Sequence, residues 1–300
     1  MRRVSENQRF AATAERMALA RSSLDQVQEK AISGRQLHSV SDDPVAVVRT
    51  LRNRTQLAGI EQFRKTLDFA RGFLSITEDA LKSMNESMIR AKELSVQQSN
   101  ATYDEASRKT VAQEIRQIEE HIVSLGNATY NDRYVFGGYQ TYRPPIAPDG
   151  HYLGDDGVIF VQVTEDSFKP INVSGRAIFG GEGSDDATPR SPLLETIRGL
   201  AEALEDNDLT GLRRRMGELD RASETIINTI ATVGARASAI EDVSQRLDFN
   251  EERLVQDTTR IEGADPAKTA LELKRAESAL EYTLNSSSRI LSPSLLTYLK

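Results

Sequence analysis

From Leu212 to Ile261 the chain places apolar or small residues in alternating steps of three and four. Leu212, Met216, Leu219, Ser223, Ile226, Ile230, Val233, Ala237, Ile240, Ser244, Leu247, Glu251, Leu254 and Ile261 keep that phase almost without a slip. A stripe of this period makes a helix lie along another long helix. At 1.5 Å per residue the helix is on the order of 75 Å long. The chain therefore needs partners of similar reach, which a compact core around a sheet does not supply.

Two segments offer themselves. From about 61 to 98, Leu67, Ala70, Leu74, Thr77, Leu81, Met84, Met88 and Ala91 alternate in the same way. From about 103 to 125, Val111, Ile115, Ile118, Ile122 and Leu125 do so again. Asn100-Ala101-Thr102 is the short turn between them, so the pair is expected to form an antiparallel hairpin. Upstream, Ser41-Asp42-Asp43-Pro44 starts a helix through Val45, Val48, Leu51 and Leu57, with a break expected at Gly59. Proline suits a first helical turn, and the preceding Ser and Asp residues suit a cap. Adjacent acids there are read as caps facing the helix dipole rather than as a catalytic pair.

The two ends of the chain carry thinner seams. Phe10, Met17, Leu24 and Ala31 recur every seven residues, and Thr13, Ala20, Val27 and Gly34 follow each by three. After the break at Gly263-Ala264-Asp265-Pro266 come Leu273, Ala276, Leu280, Thr283, Leu284, Ile290 and Leu291. The chain closes on Leu295-Leu296-Thr297-Tyr298-Leu299-Lys300. The order is roughly palindromic, which implies a rod with both termini at one end and the two terminal helices paired. Such arms bury too little apolar area to be stable alone, so they are expected to order fully when many copies pack side by side.

Between the helical halves, residues 138–192 are rich in Gly, Pro, Asp and aromatics. Val158–Val163 reads as a strand, Ile171 to Val173 and Ala177 to Phe179 as further strands, and Gly180 to Asp186 as a loop. The fold class expected is mainly α, an elongated rod of long coiled-coil helices with a small β-rich insertion. Three parts follow: 1–44 with 263–300, 45–137 with 193–262, and 138–192.

Chemistry is thinly represented. The 300 residues hold no cysteine and no tryptophan, and the formal net charge is −7. Without cysteine there is no disulfide framework, thiolate nucleophile or cysteine-ligated metal. A mildly acidic chain is a poor match for a phosphate backbone, and Arg213-Arg214-Arg215 reads as a solvated face. His38, His121 and His151 lack metal-ligand spacing, and no Gly-x-Ser-x-Gly elbow occurs. Gly180-Gly181-Glu182-Gly183 lacks the lysine of a phosphate-binding loop. No cofactor and no enzymatic activity are expected. No apolar run approaches the roughly 20 residues of a membrane span. Met1 to Gln8 show no apolar signal core, so an extracellular role is expected to use a route that cleaves no signal peptide.

Several stretches resemble the bacterial flagellin-like family. They are Ser33-Gly34-Arg35 followed by Ser41-Asp42-Asp43-Pro44, Glu93 to Thr102, Asn131 to Gly138 with Thr141, and Leu295 to Lys300. Their order and spacing are closest to the branch that joins hook to filament. The resemblance implies a structural, ring-forming subunit of the flagellum, exported unfolded through the flagellar type III apparatus. It implies a hook-associated protein on one side, flagellin on the other, and an export chaperone on the C-terminal arm. It also implies that the arm around Phe10, Met17, Leu24 and Val27 packs with the arm around Leu273, Leu280, Leu284 and Leu291. Ser41, Asp42, Asp43, Pro44, Leu295, Leu296 and Leu299 complete the expected interface. A flagellin filament subunit and a cytoplasmic coiled-coil adaptor are the competing readings.

Overall fold

The computed structural model describes residues 6–100, 104–180 and 190–291. The helices are α1 (Glu6–Ser33), α2 (Pro44–Gln98), α3 (Glu105–Gly126), α4 (Pro192–Glu205), α5 (Leu209–Glu262) and α6 (Pro266–Leu291). The strands are β1 (Thr129–Tyr130), β2 (Arg133–Tyr134), β3 (Phe160–Thr164) and β4 (Ser167–Pro170). The chain divides into two compact units, Met1–Ala58 with Asn250–Lys300, and Gly59–Phe249. Both divisions fall inside helices, within α2 and within α5.

In the larger unit the heptad stripes become the core. All eight residues expected on α2 from Leu67 to Ala91 are at most 1% exposed. Thr77 is tolerated there because its hydroxyl donates to the carbonyl of Phe73 at 2.8 Å. On α5, Leu212, Leu219, Ile226, Val233, Ile240 and Leu247 are buried at intervals of seven, while Met216, Ser223, Ile230, Ala237 and Ser244 are half-buried. Three ion pairs set the register between these helices: Arg64 with Asp248 at 2.5 Å, Arg71 with Glu241 at 3.0 Å, and Lys92 with Asp220 at 2.5 Å. Each advance along α2 is matched by an equal retreat along α5, so the two run antiparallel. Arg90 ties α2 to Glu114 of α3 at 2.8 Å.

Two helical expectations need correcting. α2 runs through Gly59 without a break. Glycine weakens a helix by about 1 kcal/mol, which a 55-residue helix with long stretches of tertiary packing absorbs. On α3 the buried positions are Arg108, Ala112, Ile115, Glu119, Ile122 and Gly126. Ile115 and Ile122 were expected there, but Val111, Ile118 and Leu125 are only half-buried. The stripe turns toward Ala112 and Gly126, and at Gly126 the Ile146 and Phe179 side chains come so close that a Cβ would collide with them.

Caps fix the helix starts. Asp104 accepts from the Ser107 N–H at 2.9 Å, and Ser191 from the Leu194 N–H at 3.4 Å with Pro192 following. Arg108, 5% exposed, donates to the carbonyls of Gln98 at 3.2 Å and Asn100 at 3.1 Å, and to the side-chain oxygen of Asn207. One guanidinium thus ends α2, begins α3 and holds the turn between α4 and α5.

The insertion is less of a sheet than its sequence implied. Just ahead of it, β1 and β2 form a hairpin across Asn131 and Asp132, whose φ values of 47° and 59° suit a tight two-residue turn. Tyr130 of that hairpin lies where Gly72 of α2 leaves no side chain in its way. β3 and β4 pair antiparallel, Val161 opposite Lys169 and Gln162 opposite Phe168. The expected strand at Ile171 to Val173 is instead an irregular segment organised by Asn172. Its side chain accepts from the Ile159 N–H at 2.7 Å and donates to the Gly157 carbonyl at 2.8 Å, replacing ladder bonds. Arg236 of α5 donates to the Asn172 carbonyl, and burial lowers the pKa of that guanidinium. The expected strand at Ala177 to Phe179 is a single π turn, Arg176–Gly180, packed on α4. Phe179 meets Phe136 edge-on at 6.0 Å and stacks with Tyr152 at 6.4 Å. Burial pushes the Tyr152 phenol up, and its hydroxyl donates to the Phe136 carbonyl at 2.7 Å. The loop expected from Gly180 to Asp186 lies outside the described residues beyond Gly180.

Candidate assembly interface

In the smaller unit α1 and α6 pack against each other, the end of the first beside the start of the second. On α1, Thr13, Met17, Ala20, Leu24 and Val27 form the half-buried seam that their spacing implied. On α6 the seam is Thr269, Leu273, Ala276, Leu280, Thr283 and Ser287, of which Thr269, Ala276 and Ser287 are buried. No α1 side chain among the described residues is buried. The small residues explain this: threonine, alanine and serine bring two helices together without covering much apolar area.

The remaining expected interface residues fall into three groups. Phe10 is 61% exposed and Leu284 47%, so both lie off the closed seam of the single chain. Ser41, Asp42 and Asp43 form the linker into α2, which Pro44 begins. Leu291 ends α6 with its side chain outside the described residues, as are Leu295, Leu296 and Leu299 altogether. Leu19, Ile32, Leu271 and Tyr282 are further exposed apolar side chains on these two helices. Val45, Val48 and Leu51 add an exposed apolar face at the start of α2.

The two acids of the linker divide the work. Asp43 caps α2, accepting from the Val45 and Ala46 N–H groups at 3.0 Å each. Asp42 folds the turn before it, accepting from the His38 and Ser39 N–H groups at 2.9 and 2.8 Å. Those two backbone bonds hold its carboxyl below the ordinary range. The His38 ring meets the Ser33 hydroxyl at 2.8 Å, tying this turn to the end of α1.

The two chain breaks, distant in sequence, lie side by side. The Gln36 N–H donates to the Glu262 carbonyl at 2.6 Å, and the Ala264 N–H to the Gly34 carbonyl at 2.9 Å. Gly34 adopts φ +65°, a conformation natural to glycine. The Glu262 carboxylate accepts from Arg54 at 2.7 Å, with Arg35 at 3.8 Å. Five residues earlier, Asp257 pairs with Arg260 at 2.7 Å, accepts from Asn53 at 3.1 Å, and lies 3.5 Å from Arg49. These donors keep the Asp257 carboxyl low, Arg260 contributing most. Periodicity does not single out Glu262 and Arg54, which are 208 residues apart; their only sequence signal is a charge near each glycine or proline break.

Residues 4–141 match the N-terminal helical region of bacterial flagellin. The first half of the chain is similar to that region. Flagellar hook-associated protein 3 of Escherichia coli is 26% identical to it over 221 residues, 69% of this chain and 70% of that protein. The structure of Bacillus cereus FlgL is 25% identical, with a TM-score of 0.61 over 69% of this chain and 99% of that one. The flagellar junction protein FlgL of Legionella pneumophila shares the fold, with 15% identity and a TM-score of 0.59 over 72% of this chain and 100% of that one. The chain thus has relatives that are flagellar components, and it shares its fold with the FlgL structures over about 70% of its length.

Proposed function

We propose that this chain is a structural subunit joining hook to filament in the bacterial flagellum, assembling as a ring through its terminal helices. The observation that carries the reading is the incomplete seam. α1 and α6 pair, yet no described side chain of α1 is buried, and Phe10 and Leu284 face solvent. Exposed apolar area on a paired rod is covered when neighbouring copies pack alongside. The names of the hook-associated relatives support the same reading. In it, 1–44 with 263–300 forms the assembly part, 45–137 with 193–262 the supporting helices, and 138–192 the outer insertion. Phe10, Met17, Leu24, Val27, Leu273, Leu280 and Leu284 contribute side chains to the packed arms, joined by Leu291, Leu295, Leu296 and Leu299. Ser41 to Pro44 set the exit from the arm.

The partners are copies of the chain, a hook-associated protein on the hook side and flagellin on the filament side. An export chaperone holds the C-terminal arm beforehand, and the chain leaves through the flagellar exporter without losing a signal peptide. Deleting the gene in its host and imaging the cells tests this. Hooks without filaments, with flagellin monomers in the medium, are expected. A missing filament with no flagellin released would point to a filament subunit, and normal flagella would overturn the flagellar reading.

A further inference from the structure

We propose that the open edge of β3 is a docking strand for an extended segment of another polypeptide, one that alternates apolar residues and carries Lys or Arg at both ends. The register of the hairpin decides which backbone groups are open. The Ile171 N–H donates to the Ile159 carbonyl at 3.0 Å, so the pair after next, Val161 opposite Lys169, is hydrogen-bonded as well. In an antiparallel ladder the residues that alternate with such pairs turn their N–H and C=O groups outward. Those residues are Phe160 and Gln162 on β3, and Phe168 and Pro170 on β4. The two edges differ. On β4, Pro170 has no N–H and Lys169 places a charge, which are devices that keep an edge from pairing. β3 has neither, since Val158 to Thr164 holds no charge and no proline. Its edge is closed at one end by the Tyr139 hydroxyl, which donates to the Val158 carbonyl at 3.0 Å. At the other it ends in the irregularity between Gln162 and Thr164. Between these points nothing among the described residues bonds the outward backbone groups of Phe160 and Gln162.

The hairpin also offers an apolar face. Phe160 and Phe168 are each 59% exposed and sit diagonally across the ladder, on the side opposite the buried Val163. A strand added to β3 extends this face, and an apolar residue beside Phe160 covers it. Charge chooses the partner. Residues 138–192 hold eight carboxylates against four Lys or Arg. Asp155-Asp156 precedes β3 and Glu165-Asp166 follows it. Asp156 lies 3.7 Å from Arg176, whereas Glu165 and Asp166 are exposed and pair with no base among the described residues. A second copy laid antiparallel on β3 would bring Glu165-Asp166 against Asp155-Asp156, like charge on like. A segment with basic ends meets carboxylates at both. The site shares no residue with the arms, and so stands whether or not they form a ring.

The test uses the full chain and two fluorescent peptides of about ten residues, long enough to span the edge and its flanking acids. One alternates valine and threonine between paired lysines, and the other has glutamate in place of lysine. Fluorescence anisotropy is expected to show saturable binding of the lysine peptide, at least about tenfold tighter than that of the glutamate peptide. On saturation the Phe160 and Gln162 amides are expected to gain about tenfold or more in exchange protection. The Val161 amide, already paired with Lys169, is expected not to change. Gln162→Pro removes one outward N–H at an edge position where proline fits, and is expected to weaken binding about tenfold with an unchanged thermal midpoint. Gln162→Thr keeps the N–H and is expected to keep the affinity. If the proline variant does not fold, amide protection in the unchanged chain decides by itself. No binding, binding without protection of these two amides, or equal affinity for the two peptides would overturn the proposal. A dimer of the chain alone with the same two amides protected would assign the edge to a second copy and overturn it as well.

Discussion

At the scale of single residues, the strongest restraints are polar groups placed where periodicity predicts apolar ones. Arg108 is the clearest. Truncating it to alanine leaves the Gln98 and Asn100 carbonyls and the Asn207 side chain without their donor. We expect a loss of about 3 kcal/mol in urea unfolding, little restored by lysine, whose single ammonium cannot span three acceptors. A loss under about 1 kcal/mol would show that water replaces the guanidinium there. Asp42 offers a test by pH. Its carboxyl is depressed from 3.8 by the His38 and Ser39 N–H groups, so it stabilises the turn above that value. The contribution disappears as pH falls through the lower folded value. The protection of the His38 and Ser39 amides, taken relative to the intrinsic exchange rate at each pH, is expected to be high near neutrality and to fall as pH drops below 3.8. Asp42→Asn is expected to abolish that pH step; the same step in the variant would assign it to another group.

At the scale of elements, the heptad decides which faces of α2 and α5 are buried, and an isolated glycine yields to it. Gly59 shows the balance. It was expected to end a helix, yet α2 continues through it, and a Cβ placed there meets no atom within 4 Å. Gly59→Ala is accordingly expected to stabilise the chain by about 0.5–1 kcal/mol, partly by restricting the unfolded state. A raised thermal midpoint checks it, and a lowered one would reveal a strain that the open space does not suggest. The insertion shows the opposite outcome. Of the strand expected at Val158 to Val163, Phe160 to Val163 was legible because three of its four residues are β-branched or aromatic, while Val158 and Ile159 lie outside the strand. Ile171 to Val173 was not, because the Asn172 amide replaces strand pairing with two side-chain bonds, which no alternation reveals. The two-residue turn at Asn131 and Asp132 carried its own signal in residue types that tolerate positive φ.

At the scale of the whole molecule, the two compact units make a prediction about truncation. Removing 266–300 takes away α6 and with it the partner of α1, while the unit Gly59–Phe249 keeps its own core. We expect residues 59–249 to remain protected in limited proteolysis, with assembly abolished. Collapse of the entire helical signal would contradict this, since local stability would then depend on the arms. Much of the design was legible in the amino-acid order. Heptads over Leu67–Ala91 and Leu212–Leu247 name the buried stripe, because an apolar face of period 3.5 has one economical way to leave water. The thin seams from Thr13 to Val27 and from Leu273 to Thr283 name the helices that pair incompletely. Tertiary structure alone decided which of two adjacent stripes on α3 turned inward, since Gly126 is buried there by the close approach of Ile146 and Phe179 rather than by apolarity. It alone brought Glu262 to Arg54 and Arg108 to Asn207. Such pairs depend on where the chain returns in space, and a periodic sequence records the faces of its helices but not which charges meet across them.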